Sequence, residues 1–123
     1  METNDYFYSH KTKSKFEIII IEEAENFISS LDIIIRKKII YNMDKATYIN
    51  DPKLFKKLNS DIWEFRTKYQ NQHYRFFAFW DKTDNLNTLV ISTHGVIKKV
   101  SKVPRSEIIK AEKIRFQYFE INK

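Results

Sequence analysis

No cysteine occurs in the 123-residue chain, which excludes disulfides and makes a reducing, cytoplasmic location the default expectation. A single glycine, Gly95, cannot build a loop that cradles nucleotide phosphates, and neither GxxxxGK[ST] nor GxGxxG is present. ATP and dinucleotide chemistry are therefore not expected. The longest apolar runs, such as IIII at 18–21, fall far short of the ~20 residues that a membrane-spanning helix requires, so no membrane partner is expected. The opening residues METNDYFYSHKTKSK lack the apolar core of a signal peptide. His10, His73 and His94 are widely separated and stand in no HExxH or similar spacing, so neither a metal nor another cofactor is implied. No nucleophile elbow occurs.

Aromatic and aliphatic residues, by contrast, are plentiful. Hydrophobic residues make up 42% of the chain, with ten Phe and seven Tyr, enough to offset chain entropy in one compact unit. A single domain over 1–123 is expected, with 1–15 as a polar N-terminal arm. Charge is uneven. Residues 1–96 hold 14 Lys or Arg against 13 Asp or Glu, whereas 97–123 hold 8 against 3. Such a local excess suits a phosphate-bearing partner, although a charge run alone is more often a solvated helix face.

The apolar run FEIIII (16–21) reads as a strand buried on both faces and central in its sheet. Glu22, Glu23 and Glu25 then suit a helix N-terminus, with Ala24, Phe27, Ile28 and Leu31 as its apolar stripe. Asp32 is placed to cap a second helix, whose stripe is Ile35, Ile39, Met43, Ala46 and Ile49. Pro52 is expected to open a helical turn through LFKKL. IWEFRTKY (62–69), HYRFFAFW (73–80) and NTLVISTHGVIKK (87–99) read as an antiparallel meander joined by QNQ and DKTDNL. Pro104 suits the first turn of a last helix, with Ile108, Ala111, Ile114, Tyr118 and Ile121 facing inward. The expected class is α+β: an antiparallel-rich twisted sheet in the order β-α-α-β-β-β-α. The helices are expected on one face, leaving the other for a site.

Strand alternation puts Trp63, Phe65 and Tyr69 on one side and Glu64, Arg66 and Lys68 on the other. Arg75, set in HYRFFAFW, needs an anionic partner, either Glu64 or Asp61 within the protein or a bound ligand. His94 reads most simply as a hydrogen-bonded core histidine, and Lys98, Lys99 and Lys102 as surface lysines. Adjacent strands would nevertheless bring Arg66, Lys68, Arg75, Lys98 and Lys99 toward one concave surface. Phosphodiester cleavage in RNA uses such groups, because the substrate's 2′-hydroxyl is the nucleophile and the protein stabilises charge on phosphorus. Glu64, His73 or a lysine with lowered proton affinity are the candidate bases.

The stretches KLNSDIWEFRTKYQNQHYRFFAFWDK and LVISTHGVIKKVSKVPRSEIIKAEKIRFQYF, with EEAENFISSLDIIIRKKIIYNM upstream, resemble the RelE/ParE superfamily of type II toxins, most closely its HigB-like, phage-derived branch. The most specific pieces are W-E-F-R, Y-R-F-F and H-G-V-I-K-K-x-x-K-x-P. The resemblance implies a microbial-ribonuclease-like sheet and metal-independent endoribonuclease cleavage of mRNA, usually on the ribosome. It also implies neutralisation by a helix-turn-helix antitoxin, with operator DNA contacted only through the toxin–antitoxin complex. Arg66, Arg75, Lys98 and Lys99 would be catalytic, with Lys68, His73, His94, Lys102 and Arg105 holding RNA. The same cations would serve as docking residues in a gyrase inhibitor like the ParE branch, or in an inactive RNA-binding relative. Unlike many RelE-like nucleases, this chain places Tyr118 and Phe119 well inside its last helix, where neither suits a proton donor.

Overall fold

A computed structural model describes residues 14–84, 88–98 and 102–123, with Lys98 described through its backbone alone. The expected N-terminal arm as far as residue 13, together with His10 and Lys99, lies outside the described residues. The elements are β1 (Glu17–Ile20), α1 (Glu22–Ser29), α2 (Ile33–Ala46), β2 (Phe55–Lys57), β3 (Trp63–Tyr69), β4 (Gln72–Asp81), β5 (Leu89–Lys98) and α3 (Arg105–Ile121). They form an α+β fold on a five-stranded sheet of order β1-β5-β4-β3-β2, in which β1 runs parallel to β5 and every other pair is antiparallel.

The meander β3-β4-β5 is the expected one, and its register is set by its first turn. Gln70 and Asn71 both take positive φ, 49° and 65°, and Tyr69 pairs with Gln72 across them. A two-residue turn of this hand matches the twist of the strands and allows only one alignment. β4 is apolar on both sides. Tyr74, Phe76 and Ala78 join Phe65, Val90, Ile39 and Met43 in one core, while Phe77 and Phe79 join Ile62, Ile91 and Ala111 in another. Helices therefore cover both faces, α1–α2 one and α3 the other, which corrects the expectation that they share a face. A continuous apolar run such as FFAFW is what a doubly covered strand requires.

Three further expectations are corrected. β1 is an edge strand, paired among the described residues only with β5, and it alternates exposed and half-buried positions rather than burying both faces. Its Ile18 and Ile20 pack on the α1–α2 core while Ile21 joins the α3 core, so the isoleucine run serves two cores and not a central position. The segment after Pro52 makes a turn and then strand β2, not a helix. Phe55 is drawn into an aromatic cluster, 4.4 Å from Phe65 and 4.8 Å from Trp63 between ring centroids, and that burial overrides local helical preference. Ile49 and Ile121 are exposed, Ile121 by 82%, because α2 stops at Ala46 and the last turn of α3 runs beyond the sheet. Asp32 caps α2 as expected, its Oδ1 accepting from the Ile33 amide at 2.9 Å.

Gly95 is explained by close approach. Its φ is not positive, and a Cβ there would lie 2.5 Å from Phe76 Cε2 and 2.6 Å from Phe27 Cδ2. Phe27 of α1 lies edge-on to Phe76, with ring centroids 5.7 Å apart, and this close approach fixes α1 on the sheet. One step along, a register irregularity between Phe76 and Ala78 lets His94 turn toward α3. His94 is 2% exposed, with Nε2 3.0 Å from Glu107 Oε1 and Nδ1 2.9 Å from Thr93 Oγ1. Its Thr93 neighbour also donates to the Phe77 carbonyl at 3.0 Å. Burial lowers the proton affinity of the imidazole, although the hydrogen bond to Glu107 pulls the other way.

Gly95→Ala is expected to cost about 1–3 kcal/mol, because backbone and two rings must shift to admit one methyl group. Urea unfolding checks this, and an unchanged midpoint would contradict it. The buried His94 also predicts a pH dependence. Its folded-state proton affinity lies below the unfolded value near 6.5, so the unfolded chain binds protons first on acidification. Stability is full above about pH 6.5 and falls as pH is lowered from there. Unfolding midpoints measured between pH 7.5 and 5.5 should decline in the wild type and decline less in His94→Gln.

Candidate nucleic-acid interface

The register of the meander decides which side chains meet. Arg66 stands opposite Arg75, Lys68 opposite His73, and His73 opposite Lys98, with Val96 completing the Arg66–Arg75 row. Residues paired across strands share a face. This face is the one that carries α3, and the cationic rows occupy the end of it next to the Gln70–Asn71 turn, whereas α3 packs over Phe77, Phe79 and Ile91. Arg66, Lys68 and Arg75 share one face as expected, but Arg75 is buried beneath it and does not reach the surface expected of it, because Glu64 takes it inward.

Two arginines directly opposite would repel, and one carboxylate resolves the conflict. Glu64, only 1% exposed, places Oε1 2.9 Å from Arg75 Nη1 and 3.3 Å from Arg66 Nε. Of the two internal partners considered for Arg75, Glu64 is the one used. Arg75 is 2% exposed, whereas the Arg66 side chain is 26% exposed and also donates to the Pro52 carbonyl at 3.3 Å. One carboxylate balances one guanidinium, so the row keeps a net positive charge. Glu64 Oε2 and Arg75 Nε are buried with no hydrogen-bond partner among the described residues.

Arg75 Nη2 lies 3.4 Å from His73 Nδ1, and the His73 ring is half-buried. Its proton affinity is lowered by burial first, then by Arg75, Lys68 and Arg66, so it is uncharged at neutral pH. Lys68 is exposed beside it. Lys98 holds its position in the row through its backbone, while its side chain, like Lys99, lies outside the described residues. Lys102 and Arg105 are exposed, Arg105 as the first residue of α3. His94 stands apart from this group, with both ring nitrogens engaged and nothing left to offer a ligand.

The C-terminal phenol is also engaged. Tyr118 donates to Asp81 Oδ2 at 2.6 Å, and burial together with that carboxylate pushes its proton affinity up to about 12. Phe119 packs near Phe79. Neither faces the cationic rows. Among the described residues no three His, Asp or Glu side chains come together in a way that could hold a metal ion. Sequence reading missed that Glu64 serves both arginines at once. The clue was the QN turn, whose two-residue length puts Arg66 and Arg75 side by side.

Such a surface can grip an anion through Arg66 and Lys68, backed by the internal Glu64–Arg75 pair and an uncharged imidazole. Among known proteins, neither a curated protein nor a solved structure matches the chain. The family described as phage-derived protein Gp49-like (DUF891) matches over residues 26–115, well over half the chain and including every element from α2 to β5. The chain belongs to this Gp49-like family, a phage-derived toxin-like family of the RelE/HigB-like group.

Proposed function

We propose that the protein is the toxin of a type II toxin–antitoxin pair of the HigB-like branch, and that it cleaves mRNA as a metal-independent endoribonuclease, on the ribosome. The observation that carries this reading is the pair of cross-strand rows, Arg66–Arg75 and Lys68–His73–Lys98, on one face of the meander. RNA supplies its own nucleophile: the 2′-hydroxyl attacks phosphorus, the 5′-oxygen leaves, and a 2′,3′-cyclic phosphate remains. The protein's share is to orient the strand and to stabilise the extra negative charge on the non-bridging oxygens. Arg66 suits that task, being planar, forked and partly exposed, with Lys68 two residues away on the same strand and face. Lys102 and Arg105, exposed just before and at the start of α3, add positive charge there, and Lys98 and Lys99 add two more cations in the sequence just before them. A helix-turn-helix antitoxin is the proposed partner, and the cytoplasm the proposed compartment.

One feature favours a second reading, a relative that binds RNA or another anionic target without cutting it. The Tyr118 phenol is committed to Asp81, and Glu64, a candidate base, is committed to two arginines. Controlled expression in growing cells with transcriptome-wide mapping of mRNA 5′ ends separates the two. The cleaving toxin predicts growth arrest with new ends, reduced about 10²-fold or more by Arg66→Ala and strongly by Lys68→Ala. Arrest without new ends would contradict the nuclease and point to a gyrase-like target. In a reconstituted reaction, cleavage should persist when a chelator is added.

A further inference from the structure

His73 and Arg75 are two residues apart on β4, so their side chains stand on one face. Arg75 Nη2 approaches His73 Nδ1 at 3.4 Å while Nη1 of the same guanidinium donates to Glu64 Oε1 at 2.9 Å. A guanidinium has donors only. Nδ1 must therefore accept, and an uncharged ring then carries its single proton on Nε2. The fork is rigid and both members of the Glu64–Arg75 pair are almost wholly buried, so the donor aimed at Nδ1 is fixed in place. Nε2 has no hydrogen-bond partner among the described residues.

We propose that Glu64 and Arg75 are a positioning pair that holds His73 in the Nε2–H tautomer, so that its ring presents a hydrogen-bond donor, and not a base, to a phosphate oxygen of RNA lying along Arg66 and Lys68. The ligand class rests on the ribonuclease reading, whereas the tautomer does not. Arg66 and Lys68 on β3, Arg75 on β4 and the Lys98 position on β5 surround the ring, and Glu64 is already shared by the arginines. A second ring proton would thus enter a field of cations, and on Nδ1 it would face the Arg75 donor head-on. His73 is accordingly a poor acceptor for the 2′-hydroxyl proton, and its contribution is to hold a non-bridging oxygen.

The test is a long-range proton–nitrogen correlation spectrum of the full chain labelled with ¹⁵N-histidine, recorded at pH 7.5 without RNA. His73 is expected with Nε2 protonated and Nδ1 bare. Arg75→Lys keeps the positive charge but cannot serve Glu64 and Nδ1 together, so His73 should become a mixture of tautomers while remaining uncharged. An Nδ1–H tautomer or an imidazolium in the wild type would overturn the proposal, and that spectrum decides even if the variant does not fold. An unchanged tautomer in folded Arg75→Lys would also overturn it. Titration with a 2′-O-methyl oligoribonucleotide, which cannot be cleaved, should move the Nε2–H resonance. A fixed tautomer without that movement would overturn the donor role alone.

Discussion

One buried carboxylate holds the cationic face together. Glu64 lies between Arg66 and Arg75, which the strand register forces side by side, and without it that register would place two guanidiniums in contact with little water to separate them. Breaking a buried pair of this kind costs about 3–5 kcal/mol because the remaining charge is stranded. The two arginines are not equivalent. Arg75 is enclosed and forms part of the protein's interior, whereas Arg66 keeps access to solvent and can exchange a share of Glu64 for an external anion.

The rest of the fold serves this arrangement. The Gln70–Asn71 turn sets the register, β4 buries apolar side chains on both faces, and α3 covers the part of its face where Phe77, Phe79 and Ile91 lie. His94 and Glu107 anchor the first turns of that helix to the sheet. The uncovered remainder is where Lys68, His73 and Arg66 meet solvent. A site of this kind needs neither a glycine-rich loop nor a deep cavity, only strands in the right alignment.

Much of this was legible in the sequence. Period-two alternation in WEFRTK placed Glu64, Arg66 and Lys68 together, and the apolar setting of Arg75 demanded an anion, with Glu64 and Asp61 as internal candidates beside a bound ligand. Local pattern failed where a distant partner decided the outcome. Phe55 became a strand residue because of Phe65 and Trp63, β1 became an edge although its isoleucines suggested a centre, and Gly95 was required by Phe27, a residue 68 positions away in the chain. The face that α3 covers is decided by its packing over Phe77, Phe79 and Ile91, which nothing local to the helix sequence announces.

The central claim is that Arg66 and Lys68 meet an anionic strand while Arg75 remains an internal group. The salt dependence of binding to a non-cleavable single-stranded oligoribonucleotide tests it most directly. Arg66→Ala and Lys68→Ala should each reduce the slope of log affinity against log salt concentration by about 0.7, the value for one phosphate contact on a single strand, while Arg75→Lys should leave it unchanged. Wild-type slopes in both alanine variants would contradict the account.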